Sequence, residues 1–490
     1  MRQNRVSGRW HGVYCAAPSG QPVTPNQSMS VRYSKDPQVD RTLRHSVRDG
    51  VAYSVMSGGG ETYLSAFALF LKATAPQVAL IATLPPLLGS LAQLLSVWLG
   101  QRLRQRKRLI LAGASLQALV WLPLLLLPLL YPGQAILLLL VCTTLYHASG
   151  NFAVPLWIGL MGDLVPERKR GRYFGRRTRL ATMTAFLALV GGGIVLQVFD
   201  ANGWTVFGFV GLFLSAGIAR LVSVYHLGRM HEPPMSAAPQ PLPAGWLGRL
   251  RESPAWRFTL YIVCMQGAVA VAAPFFAVYM LRDLQFSYLQ FMANTGMAVL
   301  VQFLTLNTWG RISDIFGNRL ILVTTGSIIP LLPALWLISD NFWYLMAVQV
   351  ISGLNWAGFS LSGGNFLYEL VSGERRSAYM AFHNVFTAMA VFAGGMFGAL
   401  LTRILPQDIT FYGWTWRRDS ILLAVFAISA LLRGLVALTF LPRLQEVKVP
   451  RRQMSPRQLV FRVTRFNAFS GLLYEVVTMF RRPSERETPP

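Results

Sequence analysis

The chain has 490 residues, 53% of them hydrophobic and only 13% charged, and a net charge of +25. Soluble proteins carry about 25% charged residues, so this balance excludes an ordinary soluble domain. Three cysteines, with Cys142 and Cys264 inside apolar runs and Cys15 in a polar tail, exclude a disulfide framework and a zinc-ligand spacing.

Residues 1–46 form a polar, basic tail without a secretory signal. Arg2 to Ser28 carries no readable pattern, and Met29 is an alternative start. Long apolar runs follow, and a helix needs about 20 apolar residues to cross a bilayer. Backbone amides in lipid must be satisfied internally, and the runs are continuous rather than alternating, which selects helices over a barrel. Six spans are predicted at Val51–Leu71, Val78–Leu99, Leu109–Leu130, Ala135–Met161, Leu180–Phe199 and Trp204–Val224. Six more are predicted at Phe258–Met280, Phe291–Trp309, Leu320–Ile338, Phe342–Leu367, Tyr379–Leu401 and Ile421–Phe440.

The loop after span 2 holds Arg102, Arg104, Arg106, Lys107 and Arg108, and that after span 4 is richer still. The alternate loops, such as Tyr131–Gly133, are nearly free of Lys and Arg. The positive-inside bias puts both termini in the cytoplasm. Because the positives sit between alternate spans, they read as topology signals and not as a nucleic-acid surface. Residues 229–255 are a proline-rich cytoplasmic linker between bundles at 47–228 and 256–442. Residues 443–490 are a basic cytoplasmic tail whose apolar positions fit an amphipathic helix on the membrane face, or a disordered segment.

The two halves repeat. Arg108-Leu-Ile-Leu opens span 3 and Arg319-Leu-Ile-Leu opens span 9. Asp163, Arg170 and Tyr173 match Glu369, Arg376 and Tyr379, and Met56 and Gly58 match Met265 and Gly267. These pairs lie between 206 and 211 residues apart. An even number of spans per half makes the repeats parallel, about an axis along the membrane normal.

Gly310-Arg311-Ile-Ser-Asp314-Ile-Phe-Gly-Asn-Arg319, between spans 8 and 9, closely resembles the loop signature of the major facilitator superfamily. The Asp163-to-Gly175 connection after span 4 looks like that of the same superfamily, and the likeness covers about Asp49 to Leu441. It implies an all-α membrane protein of twelve helices in two pseudo-symmetric six-helix bundles, with spans 1, 4, 7 and 10 around a central cavity. The first-half loop, Gly100 to Arg108, is one residue short of the signature and lacks its aspartate. Gly310 is expected to let helices approach closely, and Asp314 to cap the next helix and pair with Arg311 or Arg319. With Asp163, Arg170, Glu369 and Arg376 these form a candidate gating cluster.

Polar groups within a span are costly and mark function. Ser54, Ser57, Glu61 and Ser65 fall on one face of span 1, and Glu61 lies near mid-membrane behind Gly58-Gly59-Gly60. A carboxylate there suits proton coupling or a cationic group. The repeat counterpart of Glu61 is Ala270, so the fold itself does not require the acid. His147 and Asn151 share a face of span 4, with His147 a candidate proton partner. Gln266 in span 7 and the stripe Ser352, Asn355, Phe359 and Ser362 in span 10 are candidates for substrate contact or helix glue. Arg220 and Arg433 occupy matching places in spans 6 and 12 and are expected to snorkel to the interface. No lysine or arginine sits mid-span in spans 1, 4, 7 and 10, so the expected substrate is neutral or cationic.

No Walker loop, HExxH or nucleophile elbow is present in the sequence, so neither direct ATP drive nor an enzyme is indicated. The expected protein is a secondary transporter of the inner membrane, proton-coupled, monomeric, and without cofactor, metal or nucleic-acid partner. A transporter-shaped sensor or scaffold that moves nothing, and a flippase for lipids or other amphiphiles, stand as alternatives. No residue pattern names the substrate, the coupling ion or the direction of transport.

Overall fold

The structure, a computed structural model, describes residues 36–103, 105–130, 132–165, 170–233, 254–371, 376–405, 408–411, 414–417 and 420–444. The tails at 1–35 and 445–490, including Met29 and the expected amphipathic helix, lie outside the described residues, as does most of the linker.

Among the described residues, twelve helical rods pack in two sets of six. In the first set α1 runs Pro37–Gly59 and resumes at Leu64–Phe70, and α2 is Ala75–Leu103. Helix α3 joins Arg106–Leu119 to Trp121–Leu130, and α4 is Ala135–Leu164. Helices α5 and α6 are Arg170–Ala201 and Thr205–Gly228. In the second set α7 is Pro254–Ala270 continued by Phe275–Val278, α8 is Tyr288–Phe316, and α9 joins Asn318–Ile328 to Leu331–Leu335. Helices α10, α11 and α12 are Phe342–Leu370, Arg376–Ile404 and Leu422–Phe440. Among the described residues, ten helices are long and apolar enough to cross a membrane. The other two rods are α1, interrupted at Gly60, and α10, whose Gln349, Ser352, Asn355 and Ser362 dilute its apolar run.

Local sequence explains the ends. Asp36 caps α1, accepting from the Gln38 N–H at 2.8 Å, ahead of Pro37 at the first turn. Ser287 and Gln290 form a reciprocal capping box on α8, and Asn341 caps α10. Gly317 turns the chain between α8 and α9 with φ +84°, a conformation that favours glycine.

Helix α1 starts at Pro37, well before the expected Val51, because Asp40, Leu43 and Ser46 are buried. A small antiparallel hairpin, β1 (Asp408–Phe411) with β2 (Trp414–Arg417), lies between α11 and α12 where only a loop was expected.

The two sets meet along α2–α11 and α5–α8. Glycines of α5 and α11 permit this close approach. A Cβ on Gly193 would lie 2.6 Å from Met292, and one on Gly395 2.5 Å from Thr83. A single apolar cluster joins the sets at the end away from the described termini, with Phe67 and Val78 from the first and Phe275, Met292 and Ala399 from the second. At the other end the clusters separate. Leu43, Ile110, Met161 and Tyr173 pack within the first set, and Phe258, Phe366, Tyr379 and Leu441 within the second. The halves are thus joined at one end and parted at the end carrying the termini.

Candidate functional site

Three consecutive glycines leave α1 free to depart from α-helical geometry. It does so at Gly60, and Glu61–Tyr63 form a single 3-10 turn before the helix resumes. The repeat is interrupted at the matching place, by a turn over residues 271–274 in α7. The α1 break is packed in place, since a Cβ on Gly58 would meet the Ala185 carbonyl oxygen at 2.1 Å.

Glu61 sits on this turn, half-buried. Its Oε2 accepts from the Tyr146 hydroxyl at 2.9 Å and from the Ser57 hydroxyl at 3.1 Å. Tyr146 of α4 is fully buried and stands edge-on to its neighbour His147, with ring centroids 5.3 Å apart. The structure thus brings together Glu61, Ser57 and His147, and adds Tyr146. Tyr146 gives no functional signal in the sequence, because an aromatic in an apolar run reads as packing. Ser54 turns back onto the Gly50 carbonyl, so the expected serine face is divided.

The remaining candidates are not assembled with it. Asn151 accepts from Gln93 Nε2 at 3.0 Å and joins α4 to α2. Asn355 is buried and donates to the Thr325 carbonyl at 3.1 Å, binding α10 to α9. Phe359 and Ser362 are buried beside it, within the second set. Gln266 is half-buried, does not line the central cavity, and has no hydrogen-bond partner among the described residues.

A cavity of about 440 Å³ lies between the sets, mostly within the second. Thr62 and Ser65 reach it from α1, immediately after Glu61. Phe276, Trp336, Ser352 and Trp356 line the other side, together with Arg433. Arg433 is 3% exposed, so it does not snorkel. Neither does its counterpart Arg220, which is 4% exposed. Arg220 Nη1 donates to Ser223 Oγ at 2.7 Å, and that hydroxyl donates to Asp49 Oδ1 at 2.7 Å. Arg177 Nη2 lies 3.4 Å from the other oxygen of Asp49. Snorkelling fails because each bundle offers these side chains inward partners, and a charge inside a bundle avoids lipid more completely than one at its surface.

The family model described as Major Facilitator Superfamily matches residues 50–272 and again 258–480. The chain belongs to the major facilitator superfamily. The double match reproduces the repeat seen in the sequence. Among solved structures, the nucleoside transporter NupG superposes with a TM-score of 0.61 at 14% identity, covering 82% of this chain and 98% of that one. A bacterial homologue of the human lysosomal transporter Spinster, described as inward-facing and unoccupied, gives 0.54 at 12% identity, covering 84% and 99%. No curated protein sequence matches the chain. Membership points to an integral membrane transporter rather than an enzyme.

The superfamily's loop signature takes an unexpected form here. Asp314 and Arg311 are exposed and neither has a partner among the described residues. Helix α9 is entered through Gly317 and has no side-chain cap, so Asp314 does not cap it. Arg319 Nε instead donates to the Leu444 carbonyl at 2.6 Å. A Cβ on Gly310 would meet Leu361 only at 4.0 Å, so the close α8–α10 approach is not there. It is at Gly353, where a Cβ would lie 2.3 Å from the Ala298 carbonyl. The acids in the last turns of α4 and α10 are engaged: Arg106 Nη1 lies 2.9 Å from Asp163 Oδ2, and Asn318 Nδ2 donates to Glu369 Oε1 at 3.0 Å. Arg106 also lies 3.8 Å from Glu232 at the start of the linker. The first half thus builds its clasp without the missing loop aspartate. Arg170 and Arg376 open α5 and α11, and their side chains lie outside the described set.

Proposed function

We propose that the protein is a secondary active transporter that moves a small solute across the inner membrane by alternating access, with Glu61 as the proton-carrying group. The observation that carries this reading is the position of Glu61. It occupies a helix break, is held by two hydroxyls, one of them from Tyr146 next to His147, and directly precedes the cavity residue Thr62. A carboxylate in such a place exchanges a proton with its surroundings when local solvation changes. Helix breaks at matching places in α1 and α7 supply hinges at the level of the cavity. The joined far end and the parted terminal end fit one of two rocking states, open to the cytoplasm if both termini lie there.

Proteoliposomes loaded with a pH-sensitive dye provide the test. A transported solute should carry protons with it in the wild type. Glu61→Gln should keep downhill exchange of that solute and lose both proton movement and uphill accumulation. Proton-coupled accumulation that survives in Glu61→Gln removes Glu61 from the mechanism.

A further inference from the structure

Arg220 and Arg433 are counterparts in the repeat, yet their surroundings differ in charge. Around Arg220 stand Ser223, Asp49 and the ring of Tyr53, whose centroid is 5.1 Å from the guanidinium. At the corresponding positions the second half carries Val436, Phe258 and Ile262. Every group that compensates the first arginine is replaced by an apolar one. What remains for Arg433 is neutral: Ser429 Oγ at 3.1 Å, the Val269 carbonyl at 3.3 Å and the Ile329 carbonyl at 3.5 Å. Among the described residues no carboxylate lies within ion-pair distance of it. A guanidinium keeps its proton inside a protein, so this is a buried, uncompensated positive charge. The same side chain lines the central cavity. At about 440 Å³ that cavity falls among small-molecule sites, which span roughly 300–1,000 Å³.

We propose that the cavity takes an organic anion. Its carboxylate, sulfonate or phosphonate is bound by Arg433, and its apolar or aromatic body lies against Phe276, Trp336 and Trp356, with Ser352 at the polar edge. This inference rests on the transport reading above, because the cavity is the solute site of that reading. It replaces the neutral or cationic substrate expected from sequence. The physical argument is charge balance: a buried charge costs free energy unless paired, and here the ligand is the available partner. A planar fork also matches a carboxylate with two parallel hydrogen bonds, which an amine or amide cannot reproduce.

The test uses the full-length protein in detergent, without a gradient, and reads thermal shift and tryptophan fluorescence. The probes are 2-naphthoate, its neutral amide, and the cationic 2-naphthylmethylammonium. The expected result is saturable binding of naphthoate, with neither relative competing. Arg433→Gln should weaken that binding by about tenfold to a hundredfold, and Arg433→Lys, which keeps the charge and loses the fork, should fall between that variant and the wild type. Three results overturn the proposal. One is equal binding of the amide or the ammonium probe. The second is naphthoate binding that Arg433→Gln leaves intact. The third is no binding of naphthoate or of its sulfonate and phosphonate analogues. The competition among probes on the wild type decides the matter even if Arg433→Gln fails to fold. Because binding is read at equilibrium, anion binding without uphill flux sinks only the transport reading. Uphill flux of a cation without anion binding sinks only this inference.

Discussion

Arg220 and Arg433 show how little a residue type says about its role. Both are basic, both lie one or two turns from a helix end, and both are buried. Arg220 is one link in a chain that runs through Ser223 to Asp49 and on to Arg177. Removing it leaves a buried acid with one partner fewer. Arg220→Met should therefore cost about 1–3 kcal/mol, read as a lower melting temperature in detergent. Arg433→Met should leave the unliganded melting temperature unchanged or raise it, because no acid is orphaned by the change. A fall of similar size in both variants would mean that Arg433 is structural. The same reasoning applies to Arg106, whose loss would release Asp163 and Glu232 together. Arg106→Gln should destabilise the first half by about 1–3 kcal/mol in the same assay.

At the scale of the elements, glycines decide where helices touch. Gly353 faces the Ala298 carbonyl, and Gly394 faces that of Gly267 at 2.0 Å from an added Cβ. Backbone cannot yield as a side chain tip does, so Gly353→Ala and Gly394→Ala should each cost about 1–3 kcal/mol. Gly310→Ala, despite its place in the signature, should be tolerated, as thermal melts of the three variants would show. The extension of α1 is held differently. His45 Nδ1 lies 3.0 Å from His226 Nδ1 at the terminal end of α6. Burial, and then the positive neighbours His226, Arg48 and Arg229, hold the His45 imidazole below its ordinary pKa of 6.5. The sign follows: the unfolded chain takes up this proton first as pH falls. The contribution is therefore intact above 6.5 and is lost as pH drops through the lower folded value. Melting temperature should decline as pH falls below about 6.5, and His45→Gln should flatten that decline. An unchanged slope in the variant would place the pH sensitivity elsewhere.

For the whole molecule, the arrangement of apolar clusters predicts which end must open for flux. Gln197 and Leu289 meet across the seam at the joined end, where the Leu289 N–H donates to Gln197 Oε1 at 3.2 Å. In a cysteine-free background, Gln197→Cys with Leu289→Cys, bridged by a short reagent, should abolish flux and preserve equilibrium ligand binding. Flux that persists after complete cross-linking would show that the joined end need not part.

What the sequence determined by itself was the solvent and the symmetry. Continuous apolar runs leave the backbone no partner but itself, so helices follow without tertiary information. The spacing from Arg108 to Arg319 and from Asp163 to Glu369 exposed the repeat. Glu61 was legible for a related reason: an acid in an apolar run is rare enough to signal alone. Tertiary structure decided everything that depends on which way a side chain points across the bundle. Tyr146 reached Glu61, whereas Asn151 and Asn355 were spent joining helices. Asp49 met the Arg220 side through Ser223, a pairing of residues 174 apart. The reason is geometric. Periodicity gives the face of one helix, but the partner of that face is set by how twelve rods lean on one another, and by whether a charge finds an acid or a cavity there.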